Sequence, residues 1–150
     1  MVVAFLIAFP PLANGGVKIA LSSSSSVPVE HLYITIGEIS AHRADTLQPS
    51  GWFSVTNRSS RIDLAVVNSS ETVALGFLSL GQYDTIRVRI TNATAILNNT
   101  SKSVQLASTV FTVTVSFLVR FGVQTAIMLK VAAELQETQN VMNLKLSFAA

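Results

Sequence analysis

The stretch Thr109 to Phe121, TVFTVTVSFLVRF, constrains the fold more than any other part of the chain. Phe111, Val113, Val115, Phe117, Val119 and Phe121 take every second position. Thr112, Thr114, Ser116 and Arg120 fill positions between, and only Leu118 breaks the pattern. Side chains of a strand alternate between two faces, whereas a helix repeats every three to four residues, so this spacing predicts a half-buried β-strand. The same alternation returns at Met142, Leu144, Leu146 and Phe148 against Asn143, Lys145 and Ser147. It returns again at Ile86, Val88 and Ile90 against Arg87, Arg89 and Thr91.

Further strands are expected at Val17–Leu21, Val29–His42, Trp52–Thr56, Arg61–Val66, Thr72–Phe77, Val104–Leu106 and Gln124–Leu135. The last contains helix-forming residues, AIMLKVAAELQ, yet Ile127, Leu129, Val131, Ala133 and Leu135 alternate as in a strand. Gly51, Gly76, Gly81 and Gly122 fall between the runs, where turns belong. Ser22–Ser26 reads as a loop between strands. Many short strands without an amphipathic helix predict an all-β protein built as a β-sandwich.

One segment does not fit a sandwich with a solvated outer face. MVVAFLIAF at the start of the sequence is followed by PPLANGG, and no charge appears before Lys18. Val3, Phe5, Ile7 and Phe9 form one face of a strand; Val2, Ala4, Leu6 and Ala8 form the other. With both faces apolar, such a strand calls for burial on both sides. A membrane-spanning helix needs about 20 apolar residues, and this run stops at Pro10 and Pro11. A secretory leader normally carries Lys or Arg before its apolar core, which is missing here. Left free, the segment is prone to aggregate. Three placements remain open: a groove of a neighbouring subunit, the chain's own sandwich as its first strand, or an uncleaved leader or membrane anchor.

The first placement is donor-strand complementation, in which an extended segment completes another molecule's sheet. Burying seven or eight such side chains at about 1.5–3 kcal/mol each contributes at most roughly 10–20 kcal/mol before ordering costs. Giving and receiving a strand makes a head-to-tail contact that does not close, so the product is a filament. On this reading residues 1–16 are donor strand and hinge, and residues 17–150 the sandwich. The accepting groove is expected between the apolar faces of two strands, Phe111, Val113, Val115 and Phe117 on one and Met142, Leu144, Leu146 and Phe148 on the other.

Composition narrows the surroundings. Only 12% of the 150 residues are charged, about half the usual share, while Ser, Thr, Asn and Gln number 45. Acid unfolds proteins largely by protonating paired carboxylates, so a coat of uncharged polar residues suits a harsh exterior. The net charge of +2 is scattered, which excludes a nucleic-acid footprint. Without cysteine there are no disulfides, thiol nucleophiles or thiolate metal sites. Asn57, Asn68, Asn92, Asn98 and Asn99 each begin an Asn-X-Ser/Thr acceptor for N-linked glycans, and Asn98 and Asn99 overlap. If used, these sites face solvent and the protein is exported. If not, they are ordinary turn residues.

VEHLYITIGEISAHR (29–43), Gly51-Trp52, IDL (62–64) and LGQYDTIRVRI (80–90) resemble a family of uncharacterised secreted β-sandwich domains of archaea and bacteria. That family is similar to the immunoglobulin-like or transthyretin-like class. The likeness covers residues 17–95, and the G-x-Y-D-T-I-R piece is its most specific part. An acidic-proline turn often follows the first strand in the family; SSSSSVP stands there in this chain. Together with the apolar N-terminal strand and the glycan acceptors, the domain resembles the subunit of archaeal surface filaments called threads, and related bundling pili. The resemblance implies an extracellular, N-glycosylated homopolymer with no membrane contact once assembled. Its implied roles are adhesion to other cells, including their surface glycans, and biofilm formation.

Enzyme chemistry finds little purchase. His31 and His42 are eleven residues apart in one predicted strand, an odd spacing that predicts opposite faces. Glu38 and His42 share a face but stand roughly 13 Å apart at strand rise, too far for a base and its orienting partner. Asp63 and Asp84 read as turn or strand-edge residues that bond the backbone. No phosphate-binding glycine loop, zinc motif or nucleophile elbow is present, and no cofactor is expected. Trp52, Tyr33 and Tyr83 supply the alternative: a monomeric, secreted carbohydrate-binding sandwich with these rings as its platform. Core packing is the competing expectation for Trp52.

Overall fold

The computed structural model describes residues 14–24, 26–66, 70–138 and 141–150. The expected donor strand Val2–Phe9, the hinge residues 10–13 and the acceptor Asn68 lie outside these described residues. The regular elements described are ten strands. They are β1 (Asn14–Ser23), β2 (His31–Arg43), β3 (Trp52–Thr56), β4 (Ser60–Asp63) and β5 (Ser70–Ser79). The series continues with β6 (Gly81–Leu97), β7 (Thr100–Leu106), β8 (Val110–Val119), β9 (Gln124–Thr138) and β10 (Val141–Ala149). The segment with helix-forming composition is strand β9, as its alternation requires.

The strands form two facing layers. One runs β5-β1-β9-β10, with β1 antiparallel to β5, parallel to β9, and β9 antiparallel to β10. The other is centred on β2 and β6, which pair along most of their length. The outer edge of β2 is covered by β4 and then β3, and that of β6 by β8 along its first half and β7 along its second. β7 then crosses between layers. Its first residues pair with β6, while Val104–Leu106 run parallel to Met142–Leu144 of β10. One strand thereby joins both sheets into a single path.

The core fills the space between the layers. Val17, Ile19, Leu21, Leu129, Val131 and Leu144 point in from the first sheet; Leu32, Ile34, Ile36, Ile39, Ile86 and Ile90 point in from the second. Outside the bulges, alternate residues of the main strands point into this space, which is why the sequence alternates. The large aromatic residue at the centre is Tyr83, fully buried, its hydroxyl donating to the Ser79 carbonyl at 2.8 Å and its ring stacked on Phe117.

Several boundaries differ from expectation for local reasons. β1 begins at Asn14, because Asn14-Gly15-Gly16, expected as hinge, pairs with Phe77–Ser79 of β5. Ser22 and Ser23 extend β1 instead of opening a loop, and Ser23 donates to the Leu64 carbonyl at 2.8 Å. Leu64–Val66 turns away from β2, and the Asp63 carboxylate accepts the Ala65 amide at 2.9 Å inside that turn. Gly76, expected in a turn, lies inside β5. A Cβ built there meets the Val55 carbonyl oxygen at 2.1 Å, so β3 and β5 approach backbone to backbone and the sandwich nearly closes along that side. Gly76→Val should therefore destabilise the domain by about 1–3 kcal/mol in urea unfolding, an overpacking cost. An unchanged midpoint would remove the close approach from the account.

Candidate functional site: the seam between β8 and β10

Along the opposite side the two layers meet at β8 and β10. β8 is bonded to β6 on one edge. β10 is bonded to β9 throughout and to β7 only at Met142–Leu144. Among the described residues, the other edge of β8 and the Lys145–Ala149 edge of β10 carry no ladder partner. The eight residues expected to line an accepting groove are all on these two strands. Val113, Phe117, Met142, Leu144 and Leu146 are buried in the core, and Phe111, Val115 and Phe148 are partly buried against it. Phe111 and Phe148 touch across the gap, with ring centroids 5.0 Å apart. The seam is therefore greasy, held by side chains, and without backbone bonds between its walls.

The polar groups lie elsewhere, on the outer face of the β2–β6 sheet. His31 and His42 share that face, contrary to the odd-spacing expectation. Ile36 pairs with Ile90 and Ile39 with Val88, so a bulge inserts one extra residue into β2 between two core positions and flips all that follows. The two rings remain at opposite ends of the strand, each with its own aspartate. His31 Nδ1 donates to Asp63 Oδ2 at 2.6 Å, and Asp63 Oδ1 also accepts the Leu32 amide at 3.0 Å. His42 Nδ1 donates to Asp84 Oδ1 at 2.8 Å, while its Nε2 is buried with no hydrogen-bond partner among the described residues. Asp63 thus bonds the backbone as expected, whereas Asp84 bonds side chains, His42 and Thr85.

These bonds set the carboxylates' acidity. Partial burial pushes the Asp63 pKa up, but the bonds from His31, Leu32 and Ala65 together outweigh it and hold the group below the usual aspartate range. The bond from His42 is the main cause of the lowered Asp84 pKa, against a smaller opposing desolvation. Among the described residues no group of three or more His, Cys, Asp or Glu is placed to hold a metal ion.

The three rings of the carbohydrate alternative do not present a platform. Tyr83 is in the core. The Arg61 guanidinium lies 3.9 Å over the Tyr33 ring, and His31 stacks on Tyr33 at 5.4 Å. Trp52 is not the core residue expected of it. The bulge turns its partner His42 outward, and the tryptophan lies half-buried against that imidazole, under Arg87 at 4.2 Å. Nothing local in the sequence announces these arginine contacts, because they depend on which strands pair.

Of the glycan acceptors, Asn57, Asn92, Asn98 and Asn99 are exposed. Asn98 and Asn99 form the two-residue turn between β6 and β7, with φ of 52° and 60°, the left-handed conformation that asparagine tolerates best after glycine.

The result is an all-β sandwich in which polar pairs tie strands together, arginines lie over the Tyr33 and Trp52 rings, and the β8–β10 seam is apolar. Residues 14–146 match the family described as a domain of unknown function, DUF4382, and the chain belongs to that family. Comparison with curated proteins and with solved structures finds no match.

The lowered Asp63 pKa fixes a sign for the pH response. A carboxyl that is more acidic folded than unfolded adds stability above its unfolded pKa of about 3.9, and that stability is lost as pH falls through the folded value. Asp63→Asn should cost about 1–3 kcal/mol at pH 7 and reduce the further loss of stability on going below pH ~4. Urea unfolding of both chains between pH 7 and pH 2.5 reads this out. Parallel curves for the two would contradict it.

Proposed function

We propose that this chain is the structural subunit of an extracellular filament, polymerised by donor-strand complementation. Residues 2–9 of each copy enter the β8–β10 seam of the next. The observation that supports this reading best is the seam itself: two facing strand edges with no ladder between them among the described residues, lined by Phe111, Val115 and Phe148. The donor segment matches it in kind, since its two apolar faces need cover above and below, and its backbone needs a ladder on each edge. The family match covers residues 14–146 and does not include the segment.

The archaeal thread-like likeness, the adhesive role, export and N-linked glycans at Asn57, Asn68, Asn92, Asn98 and Asn99 belong to the same proposal. Four of the five acceptors are exposed, which fits glycans on the outside of a filament. The finer immunoglobulin- or transthyretin-like kinship is also part of it. Carbohydrate binding by a monomer is the weaker reading, because arginines cover Tyr33 and Trp52.

Electron microscopy of the purified full chain tests the proposal. The unaltered chain should form filaments, and Phe5→Ser with Ile7→Ser should leave single folded subunits. A single-subunit population for the unaltered chain at every concentration, or filaments from the double variant, would refute it.

A further inference from the structure

The outer face of the β5-β1-β9-β10 sheet is apolar around the point where the chain enters it. Phe77 and Leu75 of β5 are 70% and 65% exposed, and Phe121 and Val123, between β8 and β9, are 55% and 51% exposed. These residues are neighbours. Gly16 of β1 stands between Phe77 and Gln124 in the ladder, and Lys18, next on that face, pairs with Leu75. Phe77, Phe121 and Val123 line one cleft of about 320 Å³, with Asn14, Gly15 and Gly16 also in its lining. The glycines contribute no side chain, so the rings stand as walls around an open floor. Scattered surface hydrophobics need no explanation, but a contiguous group of this size marks a contact surface.

Its place in the chain says what covers it. Asn14 lies in the cleft, and Phe9 is five residues earlier, so even a fully extended tether reaches at most about 18 Å. On the donor-strand reading, Phe9 sits inside a neighbouring copy. A tether this short, stiffened by Pro10 and Pro11, cannot hold that copy clear of the cleft. We propose that the Phe77–Phe121–Val123 patch is a second contact surface for the same copy that receives this chain's strand, lying against the rim of that copy's β8–β10 seam. The proposal rests on the donor-strand reading and extends it to an interface outside the strand. Strand and patch share one tether, so engagement of either raises the effective concentration of the other.

Because the chain has no cysteine, single thiols report on single positions. Maleimide labelling rates are compared between assembled chain and chain dispersed at high dilution, for Phe5→Cys, Phe77→Cys and Leu47→Cys. Leu47, 88% exposed in the loop after β2, is the control. Labelling at Phe5→Cys and Phe77→Cys should slow at least tenfold on assembly, with Leu47→Cys unchanged. Protection at Phe5→Cys with full reactivity at Phe77→Cys overturns the patch and leaves the strand reading standing. Equal rates at all three positions overturn both. Protection of Phe77→Cys already in dispersed chains overturns the patch, since the chain's own first residues then cover it. So does protection that appears only with added phosphatidylcholine vesicles. A second readout avoids thiols: filaments of Phe77→Ser with Phe121→Ser should fall apart at least tenfold faster on dilution, with the subunit's thermal midpoint unchanged. An unaltered rate overturns the proposal.

Discussion

A strand edge is a row of backbone donors and acceptors that must bond to something, and where β8 faces β10 neither edge has a ladder partner among the described residues. Other edges among these residues are unladdered too, including the outer edges of β3, β4 and β5 and the Gln124–Leu129 edge of β9 away from β1. Among the described residues, β8 and the second half of β10 face each other with side chains in contact and no ladder between them. Water can satisfy such groups at a surface, but here the flanking side chains Phe111, Val115 and Phe148 are apolar. An edge that is both unladdered and greasy invites another strand. The donor-strand proposal supplies one from the chain's own sequence.

Polar pairs elsewhere in the molecule tie its strands together. The two histidine–aspartate pairs look at first like fragments of catalytic machinery, yet each is self-contained at its own end of β2. Asp63 ties β4 and the following turn to β2 through His31, Leu32 and Ala65. Asp84 ties β6 to β2 through His42, beneath Trp52 and Arg87. These contacts explain most of the distinctive LGQYDTIR stretch. Gly81 leaves room for Arg43, Tyr83 fills the core, Asp84 holds His42, and Arg87 caps Trp52. A motif this specific therefore has a structural reason for every prominent residue.

Strand positions were legible in the sequence because alternation is a local signature: Phe111 to Val119, Ile127 to Leu135 and Met142 to Leu146 each place their apolar residues on the face that proved to be inside. Partners were not legible. Alternation says that one face of β1 is buried, but not that β1 runs parallel to β9. A bulge adds a residue without any apolar signature of its own, so the flip between Ile36 and Ile39 was invisible, and with it the side of the sheet on which His42 and Trp52 sit. Gly76 looked like a turn because glycine serves tight turns and close backbone approaches alike, and only the position of Val55 separates the two. The seam was half visible. Its apolar residues were named from their spacing, whereas the lack of a ladder between β8 and β10 follows from long-range pairing.

The donor-strand proposal depends on residues 2–9 lodging in a different molecule. A chain carrying both Ile7→Cys and Val115→Cys tests it in one gel, since the protein has no other cysteine to interfere. After mild oxidation, the assembled chain should give a ladder of covalent multimers on a non-reducing denaturing gel, collapsing to one band on reduction. A single band at the size of one chain, running faster than its reduced form because the disulfide closes a loop within one molecule, would contradict it.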